Sequence, residues 1–258
     1  MTDTAAASLL PKVRTIAHEA GQVILRFYND GIDAATKVDG SPVTQADLAA
    51  EHVITPALHH IAPGIPVVAE EAVAAGHRPD ISGGRFWLVD PLDGTKEFIS
   101  RNGEFTVNIA LIEGGRPVLG VVYAPATGDL YAACGAGTAV HWVEGRHDYP
   151  IQVRKPPPDG LTVVASRSHG SGGELDGFLA GYTVKNRVTC GSSLKFCTVA
   201  SGKADLYPRF GPTSEWDTAA GHAILVAAGG RVEQPDGSPF LYGKADILNP
   251  HFVAYGWQ

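Results

Sequence analysis

From position 9 onward, apolar residues return every three or four places: Leu10, Val13, Ile16, Ala17, Ala20, Ile24 and Phe27. That spacing predicts an amphipathic helix over 9–28. Residues 29–42, NDGIDAATKVDGSP, break the pattern with Gly, Asp and Pro and read as a loop or a very short hairpin. A second helical stretch follows, TQADLAAEHVITPALHHIA, with Thr44 as its N-cap. The pattern then shifts to short, strongly apolar segments. PVVAEE is a short strand ending in acid, and RFWLVD is a buried strand that also ends in acid. EFTVNIALIEGGRPVLGVVYAP reads as a hairpin turning at Gly114–Gly115, with GDLYAAC and AVHWVEG as further strands. VRKPPPDG, 153–160, is the candidate linker. Beyond it strand and helix alternate: LTVVAS and GELDGFLAGY, RVTC and SSLKFCTVASG, ADLYPRF and WDTAAGHAILVAAGG with its glycine stop. The expected organisation is an N-terminal α+β half, 1–155, with helices on an antiparallel sheet. A C-terminal α/β half, 156–258, with mixed or parallel strands follows.

Composition narrows the function classes. The 258 residues are 44% hydrophobic and 18% charged, an ordinary globular balance. The net charge of −7, with no block of Lys or Arg, argues against nucleic acid as a partner and leaves room only for a local basic pocket. No apolar run approaches the ~20 residues of a membrane span. The N-terminus lacks a charged segment followed by an apolar one and does not read as a secretory signal. Cys134, Cys190 and Cys197 form no CxxC and no zinc spacing, which fits buried thiols in a reducing cytoplasm.

The chemistry concentrates in WLVDPLDGTKEF, 87–98, where a hydrophobic strand runs into two carboxylates, Asp90 and Asp93. Buried charge is costly unless something compensates it. Three other segments bring acid: Glu70 and Glu71 at a strand end, Asp217 at the start of the last long helix, and Asp47 in the first turn of the second. Magnesium is a hard cation that takes oxygen ligands. Two such ions sharing a carboxylate suit phosphoryl transfer, one activating water and the other stabilising the leaving oxygen. Gly94 lets backbone approach a ligand, and the amides around Gly94 and Thr95 offer phosphate contacts. Each acid also has a plain structural explanation. Asp47 completes a Thr44-x-x-Asp47 capping box, Asp217 suits a helix start, and DPLDGT has the composition of an ordinary turn.

DPLDGTKEF resembles the first signature of the inositol monophosphatase superfamily of magnesium-dependent, lithium-sensitive phosphatases, and EWDTAAGHAILVAAGG resembles the second. VVAEE, SPVTQAD, NGEFTVNIALI, GVVYAP, GSSLKFC and DLYPRFGPTSEWD extend the likeness from about Leu9 to Phe252 and bring it near the bacterial 3′(2′),5′-bisphosphate nucleotidase branch. The resemblance implies an α+β fold arranged as a five-layered αβαβα sandwich. It implies one Mg2+ held by Glu70, Asp90 and the Leu92 carbonyl, a second held by Asp90, Asp93 and Asp217, and a third, weaker ion near Glu70. It implies a nucleophilic water oriented by Thr95, itself hydrogen-bonded to Asp47. The implied reaction removes the 3′-phosphate of adenosine 3′,5′-bisphosphate (PAP), giving AMP and phosphate, with the sulfated relative PAPS as a second candidate substrate.

A bisphosphate needs a site for its second phosphate. Gly191, Ser192 and Lys195 at a helix start, and Arg209 near a strand end, offer one; the resemblance aligns Ser192, Lys195 and Arg209 with nucleotide-facing residues, and adds His169. The alternatives are a capping role for Ser192, a solvated helix position for Lys195, an ion pair with Glu215 for Arg209, a plain loop position for His169 and a core position for Trp216. Inositol 1-phosphate or fructose 1,6-bisphosphate hydrolysis is the competing activity, and a non-catalytic nucleotide or metal sensor the competing class. The chain reads as a cytoplasmic monomer or homodimer, with peripheral attachment to the inner membrane as an alternative.

Overall fold

The computed structural model describes residues 4–30, 34–36, 42–166 and 173–258. Two helices open the chain, α1 (Thr4–Asp30) and α2 (Gln45–Ile61), separated by a two-stranded antiparallel pair, β1 (Ala34–Thr36) and β2 (Pro42–Thr44). A seven-stranded sheet follows: β3 (Val67–Ala69), β4 (Arg85–Asp93), β5 (Thr106–Glu113), β6 (Arg116–Ala124), β7 (Asp129–Cys134), β8 (Val140–Val143) and β9 (Asp148–Pro150), in sequential order. β3 and β4 are parallel and the rest are antiparallel. Two short helices, α3 (Glu70–Ala74) and α4 (Thr95–Ile99), leave the ends of β3 and β4. The second sheet is built from β10 (Leu161–Ala165), β11 (Val184–Thr189), β12 (Leu206–Arg209), β13 (Arg231–Glu233) and β14 (Phe252–Tyr255) in the order β11-β10-β12-β14-β13. Its first three strands are parallel and the last two antiparallel. Helices α5 (Gly173–Leu179), α6 (Leu194–Ala200) and α7 (Glu215–Ala227) complete the chain.

Alternation along the strands produces the layers. In β4, Trp87 and Val89 face α1 and α2, while Phe86 and Leu88 face the opposite side. In β5, Val107, Ile109 and Leu111 join the first group, and Ala110 and Ile112 the second. The second sheet alternates likewise: Val164, Tyr207 and Phe252 face α6 and α7, while Val163, Leu206 and Val253 face α5. The result is five layers: α1/α2, the large sheet, α6/α7, the small sheet, α5.

Helix α7 is apolar nearly all round because both sheets cover it. Small residues let it sit close. Ala110, Gly120 and Ala133 lie side by side across β5, β6 and β7, and a Cβ on Gly120 would fall 2.4 Å from the Ala220 carbonyl oxygen. The predicted turn at Gly114–Gly115 is present, both residues having positive φ (54° and 76°), which a two-residue hairpin turn requires.

Several boundaries differ from the sequence expectation. Glu70 and Glu71 do not end a strand; they start α3, since the backbone turns helical directly after Ala69. The strand expected at 187–190 begins at Val184, because its parallel pairing with β10 stabilises residues whose own pattern is polar. Strands β9, β13 and β14 escaped periodicity, being three or four residues long. Segment 151–160 contains neither helix nor strand.

Replacing Gly120 by Ala is expected to lower stability by about 1–3 kcal/mol, since the added methyl meets α7 backbone. Guanidinium unfolding with an unchanged denaturant slope would show it.

Candidate active site

A cleft of about 340 Å3 opens where the carboxyl ends of β4, β10 and β12 meet the starts of α3, α4, α6 and α7. The acids Glu70, Asp93, Glu97 and Asp217 line it together with the cations Lys96, Lys195 and Arg209. Gly94, Thr95 and Ser192 also line it.

Asp47 lies beneath. Its Oδ2 accepts the Thr44 N–H at 2.8 Å and the Thr44 hydroxyl at 2.6 Å, closing the expected capping box. Its Oδ1 accepts from Thr95 Oγ1 at 3.3 Å. Capping and contact with Thr95 therefore coexist in one carboxylate. The Thr95 hydroxyl has one proton and two acceptors, Asp47 Oδ1 and the Leu92 carbonyl at 3.4 Å. Thr95 opens α4 directly after Gly94, whose φ of 90° only glycine adopts without strain.

The other acids are held by backbone donors. Asp90 Oδ1 accepts the Leu92 N–H at 3.0 Å, across the register break between Asp90 and Asp93 in β4. Asp93 Oδ2 accepts the Ser193 N–H at 2.6 Å. Asp217 Oδ2 accepts the Ser214 N–H at 2.7 Å in a second capping box. Glu70 sits on the first turn of α3, which Glu51 anchors by accepting the N–H groups of Glu71 and Ala72 at 2.8 and 2.9 Å. Glu51 was missed in the sequence, although it lies one helical turn after Asp47 and so shares its face of α2.

Electrostatics show that these groups are neighbours. Asp90 is 2% exposed, and its carboxyl is raised well above the usual range by burial first, then by Glu70, Asp93, Asp217 and Asp47. Burial, then Asp93 and Glu70, push Asp217 up to about 8, against the opposing pull of the Ser214 N–H and Arg209. Among the described residues, no three His, Cys, Asp or Glu side chains are gathered into a ready-made metal cage. Asp47, Asp90, Asp93 and Asp217 instead each accept from a backbone N–H. The donor chemistry of the site nonetheless fits a hard divalent cation: Glu70, Asp90, Asp93, Asp217 and the Leu92 carbonyl supply oxygen only, and the mutual repulsion of these acids is what a bound cation would relieve.

The substrate side departs from expectation in three places. Lys195 is not solvated: it is 6% exposed, and its amine donates to the carbonyls of Ser192 at 2.5 Å and Cys190 at 3.3 Å. Burial lowers its pKa, with Asp93 pulling the other way. Arg209 does not pair with Glu215, which is engaged by Lys244 and the Gly243 N–H. Its Nη2 donates to the Pro212 carbonyl at 3.0 Å, and its Nε is buried without a partner. The amides at the start of α6 do not stand open to an anion, because Ser193 N–H serves Asp93 and Leu194 N–H makes a long 3.5 Å bond to Ser192 Oγ. Ser192 has a φ of 46° and precedes the N-cap residue Ser193. Gly191 is buried beside Glu104, whose Oε2 accepts its N–H at 2.7 Å; a Cβ there would collide with Glu104 backbone. His169 lies outside the described residues. Trp216 is in the core, the structural alternative given for it. Ser166, Tyr207 and Thr213 also line the cleft; Tyr207 and Thr213 fall within the DLYPRFGPTSEWD segment but were not singled out as site residues.

An αβαβα sandwich with a carboxylate-rich cleft at its strand ends defines the class: the fold of metal-dependent inositol phosphatases. The chain belongs to the inositol monophosphatase family, whose sequence profile matches residues 7–256. It is 47% identical over 247 residues to the 3′(2′),5′-bisphosphate nucleotidase CysQ of Escherichia coli O157:H7, covering 95% of this chain and 98% of that protein. The crystal structure of CysQ from Bacteroides thetaiotaomicron is 39% identical and superposes with a TM-score of 0.78, covering 94% of this chain and 95% of that one. An inositol monophosphatase from Zymomonas mobilis superposes with a TM-score of 0.79 at 25% identity, covering 99% of this chain and 95% of that one. Among the described residues no helix is long and apolar enough to cross a membrane.

The cation-free protein should pay for its crowded carboxylates. Folding takes up a proton at Asp217 between the ordinary 3.8 and about 8, so this group's contribution to stability is full below the lower value and is lost as pH rises through the upper. In EDTA, Asp90→Asn keeps an acceptor for Leu92 and removes one buried charge, so it is expected to stabilise the protein by about 1–2 kcal/mol. MgCl2 should raise the melting temperature of the wild type and not of the variant. Calorimetry at about pH 5 and about pH 8 checks both, with the wild-type gain from MgCl2 larger at the higher pH.

Proposed function

We propose that the chain is a 3′(2′),5′-bisphosphate nucleotidase that removes the 3′-phosphate of PAP to give AMP and phosphate, with PAPS as a second substrate. The observation that carries this reading is the mixed lining of the cleft: the carboxylates Glu70, Asp93 and Asp217 and the cations Lys96, Lys195 and Arg209 share one space of about 340 Å3. The acid side suits cation-assisted hydrolysis. The basic side, with the unpartnered Nε of Arg209, suits a second phosphate that an inositol monophosphate lacks. Residues 1–155 contribute Asp47, Glu70, Asp90, Leu92, Asp93 and Thr95; residues 156–258 contribute Asp217 and the second-phosphate contacts Ser192, Lys195 and Arg209. Gly191 shapes that loop. The reading places a monomer or homodimer in the cytoplasm.

Glu70, Asp90 and the Leu92 carbonyl would hold one Mg2+, and Asp90, Asp93 and Asp217 a second, with a third near Glu70. When bound, Mg2+ supplies Lewis-acid activation of water and neutralises charge on the phosphoryl oxygens. The protein's own part centres on Thr95. With its proton directed at Asp47 Oδ1, the Thr95 oxygen accepts a hydrogen bond from the attacking water and orients it; as the water gives up its proton to Thr95, the Thr95 proton passes to the Asp47 carboxylate. The two Thr44 bonds to Asp47 Oδ2 prevent that carboxylate from rotating away. Lys195, held by two carbonyls, and Arg209 fix the nucleotide end, so that the reacting phosphate meets the carboxylates in one orientation.

Phosphate release from PAP, inositol 1-phosphate and fructose 1,6-bisphosphate, each with Mg2+ and with EDTA, tests the reading. PAP should be favoured by about a hundredfold or more in kcat/KM. Comparable turnover of inositol 1-phosphate would keep the metal site and discard the second-phosphate account. Thr95→Ala should lower kcat about a hundredfold with little change in KM. Arg209→Ala should raise KM for PAP about tenfold or more and leave inositol phosphate turnover nearly unchanged.

A further inference from the structure

Asp93 is fixed by more than the start of α6. Its Oδ2 also accepts a proton from Asn108 Nδ2 at 3.2 Å. The same amide donates to Ser193 Oγ at 2.9 Å, and Ser193 Oγ donates to the backbone carbonyl of Asp217 at 2.6 Å. Behind Asn108, Thr106 Oγ1 donates to Asn108 Oδ1 at 3.0 Å. Asn108 is 1% exposed, Thr106 0% and Ser193 2%. The protons therefore run one way: Thr106 to Asn108, Asn108 to Asp93 and Ser193, Ser193 to Asp217. The direction is forced. An amide turned over would set its oxygen against the Asp93 carboxylate, and only a donor at Thr106 holds it the right way round.

We infer that Asn108, oriented by Thr106, is a positioning residue for the cation-binding carboxylates. It clamps Asp93, at the end of β4, to Ser193 and so to the backbone that carries Asp217 on α7. The two acids come from different sheets' surroundings and repel each other, so a shared neutral donor fixes their separation where direct contact would not. The inference rests on the reading of Asp93 and Asp217 as Mg2+ ligands. Hydrogen bonds to ligating groups commonly change metal affinity or activity about 10–100-fold when removed.

The test is a calorimetric titration with MgCl2 of wild type, Thr106→Ser, Thr106→Val and Asn108→Ala, alongside kcat and KM for PAP. Thr106→Val keeps the shape and removes the donor; Thr106→Ser keeps the donor. Thr106→Ser should bind Mg2+ within about twofold of wild type, Thr106→Val about tenfold more weakly, and Asn108→Ala at least as weakly as Thr106→Val. The kcat values should fall in the same order while KM for PAP stays within about threefold. If Asn108→Ala fails to fold, as melting in EDTA would show, the Thr106 pair decides. Folded Thr106→Val that binds Mg2+ as wild type does overturns the inference and leaves the site reading standing. Wild type that binds no Mg2+ overturns the site reading, and the inference with it.

Discussion

The repulsion between carboxylates brought to one place is the constraint on which the rest of the molecule turns. Asp47, Glu70, Asp90, Asp93 and Asp217 come from α2, α3, β4 and α7; the other four all raise the cost of charge on Asp90, and Asp93 and Glu70 raise it on Asp217. A fold that gathers them must hold each side chain by something neutral. The structure does this with N–H groups: Thr44 for Asp47, Leu92 for Asp90, Ser193 for Asp93 and Ser214 for Asp217. These donors exist because helix starts and a strand irregularity leave backbone N–H groups without ladder partners. The layered architecture follows from the same need. Only a helix packed between two sheets can bring its first turn to the ends of strands in both, and α7 does so on a bed of Ala110, Gly120 and Ala133.

The cationic side chains of the cleft obey a different rule. A lysine buried at 6% exposure would ordinarily be costly, yet Lys195 is satisfied by two carbonyls and lies over the Tyr207 ring at 5.6 Å. Its stem is immobilised, so a charged ligand meets a pre-placed cation and does not have to order one. Arg209 is held at one end only, by the Pro212 carbonyl, and keeps a buried Nε unspent. That asymmetry is what the proposed second-phosphate contact would use.

Much of this was legible in the sequence, for reasons that can be traced. The helix at 9–28, the hairpin turning at Gly114–Gly115 and the cap at Thr44 all follow from local rules: period, paired glycines, a Thr-x-x-Asp box. The acids stood out because an apolar strand has no structural use for two of them. The basic side was harder. Lys195 has the same letters around it whether its amine reaches solvent or turns back onto Ser192; the choice depends on where β12 and Tyr207 lie, which is tertiary information. Arg209 was offered Glu215 as a partner because the two are near in sequence, but Lys244, 29 residues on from Glu215, occupies that acid. The start of α6 looked like an open anion site because nothing local says that Ser193 N–H is claimed by a carboxylate 100 residues earlier.

The two capping boxes show why helix structure and chemistry need not compete for one residue. A carboxylate has two oxygens and a single torsion that sets both. In Thr44/Asp47 and in Ser214/Asp217, the N-cap amide takes Oδ2, which fixes the torsion and so places Oδ1 as well. For Asp47 that second oxygen meets Thr95; Asp217 lines the cleft itself. The bond that starts the helix is thus the bond that aims the second oxygen. A substitution that kept the cap but lost an oxygen, as Ser would, can preserve the helix start and still empty the position that the chemistry uses. The structural explanation of Asp47 and Asp217 is in this sense the first half of the functional one.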